Sequence, residues 1–155
     1  MRPLYESEID RLKEADFLDA IATKRGCAYV KLPIHYKVDC MFLFKGLPYA
    51  WGELKCRAIS LSDHPDIIVS KRKIEAGIRL RTHLYGERVV GWSKKRESYP
   101  LKFVFFVRLM DGDYYHVIKT LEDYRSSIGG RTVQTRDEFD VEPVIHIPTS
   151  DFKRL

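Results

Sequence analysis

At 155 residues the chain has the size of one domain, since domains most often run to about 100–150 residues, and its 45% apolar and 32% charged residues are ordinary for a globular protein. No apolar run approaches the roughly 20 residues that cross a bilayer, and Met1 to Glu6 carries charges where a secretory leader needs an apolar stretch. The sequence is therefore read as one domain over residues 1–155, cytoplasmic and without a membrane partner. Cys27, Cys40 and Cys56 are odd in number and lack Cys-X-X-Cys spacing, which argues against a disulfide framework and a zinc site.

In chain order, Ser7 to Arg25 is predicted helical, with Ile9, Leu12, Phe17, Leu18 and Ile21 giving an apolar stripe and Gly26 standing where a C′ glycine ends a helix. Glu14 lies three, four and seven residues before Phe17, Leu18 and Ile21, so it shares their face. A carboxylate on a core-facing stripe calls for an explanation; Glu8 and Asp10 are the fallback acids of this helix. Cys27 to Pro33 reads as a first strand ended by its proline.

Tyr36 to Arg57 then reads as two aromatic-rich strands joined by a turn at Lys45-Gly46-Leu47-Pro48. Pairing about that turn sets Asp39 opposite Leu54 or Glu53, depending on whether the loop holds two residues or three. Alternation along the second strand points Glu53 and Lys55 to one face and Gly52, Leu54 and Cys56 to the other. Two neighbouring carboxylates are costly to bury, because each raises the other's pKa and desolvation adds to the penalty. A divalent cation removes that cost. Hard cations such as Mg²⁺ take oxygen ligands, here Asp39, Glu53 and the backbone carbonyl of Leu54. Lys55 beside them is placed to orient or deprotonate a water.

Ile59 to His64 is read as a polar loop and Pro65-Asp66 as a helix start. That helix is predicted to run to Tyr85 and to close at Gly86, with Ile67, Ile74, Ile78 and Tyr85 buried and Ser70 and Lys73 turned toward the hairpin. Its basic residues continue into Lys94, Lys95 and Arg96, between Trp92 and Tyr99. A basic block beside an acidic site suits a polyanion cut at that site. Leu101 to Met110 and Tyr114 to Lys119 form a second hairpin around Asp111-Gly112-Asp113. Phe103 to Arg108 is apolar on both faces and so belongs at the centre of a sheet. Thr120 is read as the cap of a short helix, Gly129-Gly130-Arg131 as a flexible turn, and Val141 to Ile147 as a last strand. Arg131, Arg136, Asp137, Asp140 and Glu142 are read as an ion-paired lid with no assigned chemistry. The element order implies an α/β fold with a mixed central β-sheet flanked by helices.

At the hairpin the sequence resembles the PD-(D/E)XK nuclease superfamily, whose core is an Asp on one strand and Glu-X-Lys on the next. Asp39 matches the Asp and Glu53-Leu54-Lys55 the Glu-X-Lys, while Val38 replaces the proline that often precedes the Asp. The resemblance covers about two thirds of the chain. It implies a restriction-endonuclease-like fold and an Mg²⁺-dependent endonuclease, with Mn²⁺ able to substitute, that hydrolyses phosphodiester bonds of DNA rather than RNA in a bacterial or phage-infected cell. By the same resemblance Asp39 and Glu53 hold the metal, Lys55 positions the attacking water, and Glu14 is the first-helix carboxylate that joins the site. The helix after the Glu-X-Lys strand supplies a polar or basic residue, here Lys73, which with Lys94, Lys95 and Arg96 makes the nucleic-acid contacts. A compact nuclease of this kind acts as a homodimer on two strands or as a subunit of a phage or mobile-element system. Two other classes fit less well: an inactive nucleic-acid-binding or assembly module of the same fold, disfavoured because all three hairpin residues are present, and an RNA or single-strand binder using Tyr and Phe platforms without metal.

Overall fold

The doubly apolar run Phe103 to Val107 lies at the middle of the larger of two sheets, where both of its faces are covered. The computed structural model describes residues 7–89, 101–130 and 141–155. Its elements run α1 (Glu8–Arg25), β1 (Ala28–Lys31), β2 (Cys40–Phe44), β3 (Leu47–Cys56), β4 (Asp66–Ser70), α2 (Lys71–Val89), β5 (Lys102–Leu109), β6 (Gly112–Ile118), β7 (Arg125–Gly130), β8 (Val141–Pro148) and β9 (Lys153–Arg154). The larger sheet has the order β1-β2-β3-β5-β6-β9, and an antiparallel three-stranded sheet has the order β4-β8-β7. Among the described residues only β3 and β5 pair in parallel; the other pairs of the larger sheet are antiparallel. This mixed sheet with a helix on each face is the expected α/β, restriction-endonuclease-like architecture.

Helix α1 starts at a capping box, with Asp10 N–H donating to Ser7 Oγ at 3.1 Å and Ser7 N–H to Asp10 Oδ2 at 3.0 Å. It ends on left-handed Gly26, as predicted. Phe17, Leu18 and Ile21 pack on Cys40, Phe42, Ala50, Leu54, Val104 and Phe106 across one face of the larger sheet. The predicted stripe is shorter than expected, because Ile9 and Leu12 stay exposed on the first turns.

On the opposite face Trp51, Phe103, Phe105 and Val107 meet Ile74 of α2 and Ile67, Val69, Ile145 and Ile147 of the small sheet. Contact there is close enough that a Cβ at Gly77 would enter the ring of Phe103. Here the sequence reading needs correction: Asp66 to Ser70 is a strand, and the helix begins only at Lys71. Ile67 and Val69 are buried while Asp66, Ile68 and Ser70 are partly exposed, a period of two that suits a β-branched run. Its partner β8 lies far along the chain, so local sequence did not announce the pairing. The helix also runs through Gly86 to Val89.

Gly129 and Gly130 likewise belong to a strand, β7, paired with β8. Thr120 precedes only a short 3-10 turn and makes no side-chain cap. Of the expected lid, Glu142 accepts from Ser70 Oγ at 2.9 Å, while Arg131, Arg136, Asp137 and Asp140 lie outside the described residues. No helix among the described residues is long and apolar enough to cross a membrane.

Candidate metal centre

The hairpin turn settles the register left open by the sequence. Its loop holds two residues, Lys45 and Gly46, both left-handed at φ 50° and 77°, the combination that matches the twist of paired strands. A bulge at Tyr49 then shifts the pairing from Leu43–Pro48 to Phe42–Ala50. Cys40 consequently faces Gly52, and Asp39, one residue before it, stands level with Glu53. The Asp39 amide donates to the Gly52 carbonyl at 3.1 Å. Its carboxylate Oδ2 accepts from the Leu54 amide at 2.7 Å. A Cβ at Gly52 would stand 2.7 Å from both Cys40 Sγ and a ring carbon of Phe42, so the absence of a side chain lets β2 and β3 approach.

Glu53 emerges on the opposite face from Leu54, paired with Phe105 in the parallel ladder and fully buried at 0% exposure. It is the only buried charged residue among the described ones. Asp39, Lys55 and Lys73 are partly exposed, so the site opens to solvent above the buried Glu53. Lys73 Nζ donates to Glu53 Oε1 at 2.7 Å and lies 3.7 Å from Asp39 Oδ1. Lys55 Nζ is 3.8 Å from the same Glu53 oxygen. Glu53 Oε2 is buried without a hydrogen-bond partner among the described residues, an unsatisfied acceptor of the kind that normally has a donor or an ion.

The electrostatics follow from this burial. Burial pushes the Glu53 carboxyl up to about 7; the Lys73 ammonium opposes the rise and the Asp39 charge adds to it. Burial alone would lower the Lys73 pKa, but the Glu53 and Asp39 carboxylates outweigh it and hold the group raised and charged. Lys55 moves the other way. Burial and the Lys73 charge lower it, against the pull of Glu53 and Asp39.

A family model described as "Phage putative PDDEXK endonuclease" matches residues 1–155. The chain belongs to this family. Among curated proteins none matches it.

In this PDDEXK chain Lys73 owes its position to a join that sequence reasoning missed. Arg57, just past β3, donates to the Ile68 carbonyl of β4 at 2.6 Å, and β4 runs without a loop into α2. The end of the strand that bears Glu53 is thereby tied to the start of the helix that bears Lys73. The sequence reading turned Lys73 toward the hairpin and also counted it among the phosphate contacts; its ammonium lies between the two carboxylates. Lys94, Lys95 and Arg96 lie outside the described residues.

Glu14 sits one turn before Phe17 and Leu18, largely buried, with Oε1 3.3 Å from Lys31 Nζ of β1. Its charge contributes to the raised pKa of Lys73. Among the described residues no group of three or more acidic, His or Cys side chains could hold one ion, so Glu14 does not form a three-acid cage with Asp39 and Glu53. Asp10 is engaged in the N-terminal capping box. Leu54 meets the site through its amide, on Asp39.

A separate polar cluster on the small sheet has the look of a nucleophilic triad. His146 Nε2 lies 2.6 Å from Ser127 Oγ, and Nδ1 lies 3.2 Å from Asp66 Oδ1. The Arg125 guanidinium, however, stands 3.0 Å from the same Nδ1. The same guanidinium lies 3.3 Å from Asp66 Oδ2, so the acid is ion-paired to Arg125 as well as facing the ring, whereas a triad acid serves the histidine. The cluster therefore reads as a polar clamp joining β4, β8 and β7.

Proposed function

We propose that the protein is an Mg²⁺-dependent endonuclease acting on phosphodiester bonds of DNA, with Mn²⁺ able to substitute. The observation that carries this reading is the buried Glu53, with one oxygen lacking a partner among the described residues and Asp39 level with it across the hairpin. Two carboxylates and a nearby backbone carbonyl are the hard oxygen donors Mg²⁺ prefers. Asp39, Glu53 and the Leu54 carbonyl would hold the ion. When bound, it would supply charge stabilisation to the phosphoryl oxygens and lower the pKa of water.

The chain's own residues divide the remaining work. Burial and a neighbouring cation depress the Lys55 pKa, which brings its amine closer to taking up a proton from water near neutral pH. As the free amine, Lys55 Nζ would take the proton of that water while its oxygen bonds to phosphorus, and as the phosphorus–oxygen bond to the leaving group breaks, the departing oxygen takes a proton from solvent water. The Asp39–Leu54 hydrogen bond keeps the first carboxylate from swinging away, so both acids meet the substrate preset. Lys94, Lys95 and Arg96 would engage the phosphate backbone by charge, and Glu14 would support the site from α1. A homodimer would let two such sites address two strands.

The test is a cleavage assay on linear, branched and single-stranded DNA with Mg²⁺, Mn²⁺ or Ca²⁺, with Glu53→Gln prepared in parallel. Metal-dependent cleavage by the wild type alone is expected. Equal cleavage by both, or none by either on any substrate, would leave a binding or assembly module of the same fold as the better reading.

A further inference from the structure

We infer that Lys73 is the site's own counter-cation: its ammonium holds the place between Asp39 and Glu53 that a divalent ion would take, so metal enters only by displacing it, and Lys73 sets the metal affinity. This inference rests on the reading of Asp39 and Glu53 as metal ligands. Lys73 Nζ makes the shortest ion pair of the site, 2.7 Å to Glu53 Oε1, and remains within ion-pair reach of Asp39 at 3.7 Å. Lys55 is more distant, at 3.8 Å from Glu53. A cation in contact with both carboxylates would stand within a few ångströms of the Lys73 charge. At about 4 Å, repulsion between single charges near a protein surface is several kcal/mol, so the ammonium and the ion exclude one another.

Displacement is feasible because Lys73 sits on the first turn of α2 and its side chain is partly exposed. A lysine offers a mobile point charge on a flexible stem. Swung outward, it would face the solvent side of the site, where the phosphates of a bound polyanion would lie. Metal and nucleic acid would then favour each other: the phosphate gives Lys73 a second partner, and the vacated carboxylates take the ion.

Calorimetric titration with Ca²⁺ alone tests the first half without catalysis, using the wild type, Lys73→Gln, Lys73→Arg and Asp39→Asn. Gln keeps a hydrogen-bond donor for Glu53 and removes the charge, so Lys73→Gln is expected to bind Ca²⁺ about tenfold or more tightly than the wild type. Lys73→Arg, still charged, should stay near the wild type. If Asp39→Asn weakens Ca²⁺ binding while Lys73→Gln leaves it equal or weaker, the metal site stands and the counter-cation role falls. If Asp39→Asn binds as the wild type does, or no protein binds Ca²⁺, the metal-site reading falls and takes this inference with it. Should Lys73→Gln fail to fold, the wild type decides the matter by NMR of its lysine ammonium groups. The paired Lys73 resonance should move to the position of a free lysine as Ca²⁺ saturates, and its persistence at saturation would overturn the inference.

Discussion

Asp39 is bonded through its side chain to the strand that carries Glu53, its Oδ2 accepting from the Leu54 amide at 2.7 Å. A carboxylate held by a backbone N–H is fixed in direction. The two acids therefore differ in kind: Asp39 is tethered at the rim, and Glu53 is buried, with one oxygen on Lys73 and the other without a partner among the described residues.

Replacing either acid by its amide should abolish cleavage, a loss of at least about 100-fold, by weakening the metal site. Asp39→Asn can keep the Leu54 hydrogen bond through its amide oxygen, so circular dichroism should show an unchanged fold. DNA affinity, measured by fluorescence anisotropy in EDTA, should stay equal or rise, because a charge repelling phosphate has gone. Lost DNA binding would assign Asp39 to the nucleic-acid contact instead.

Lys55→Ala is expected to separate water handling from metal holding. Its ammonium is 3.8 Å from Glu53, farther than Lys73, so removing it should change the Ca²⁺ dissociation constant by no more than a few-fold. Cleavage should still fall by about 100-fold or more, within the usual range for losing a positioned acid or base. Normal turnover with intact metal binding would move that role to Lys73.

The stability of the metal-free protein should depend on pH through Glu53. Its pKa is about 7 when folded against an ordinary 4.5, so the folded state binds the proton more tightly and stability rises as pH falls through that window. The full interval is equivalent to up to about 3 kcal/mol. Urea unfolding at pH 8 and pH 5 should show the wild type gaining on Glu53→Gln at the lower pH. An opposite slope would mean that the lysines keep Glu53 ionised throughout.

Gly77→Ala should destabilise the fold although alanine favours helices. The added Cβ would enter the ring of Phe103, and overpacking of this kind typically costs about 1–3 kcal/mol, more than the roughly 1 kcal/mol gained from helix propensity. Because Phe103 and Phe105 share the face beneath Lys73 and Glu53, metal affinity should drop with it. A higher unfolding midpoint would show that α2 can move away from β5 without strain.

By itself the sequence determined what short-range chemistry can encode. The hairpin with Asp39, Glu53 and Lys55 was legible because strand alternation and a Gly-bearing turn act over a few residues. The same holds for the first helix, its stop at Gly26 and the central strand with apolar residues on both faces. Tertiary structure decided what depends on distant partners. Asp66 to Ser70 became a strand because β8 pairs with it, Gly129 and Gly130 joined a strand for the same reason, and Ile9 and Leu12 were left outside the core. The place of Lys73 was decided in the same way: the Arg57 bond to the Ile68 carbonyl ties α2 to the end of β3, so a lysine that could have been a surface charge lies on the carboxylates.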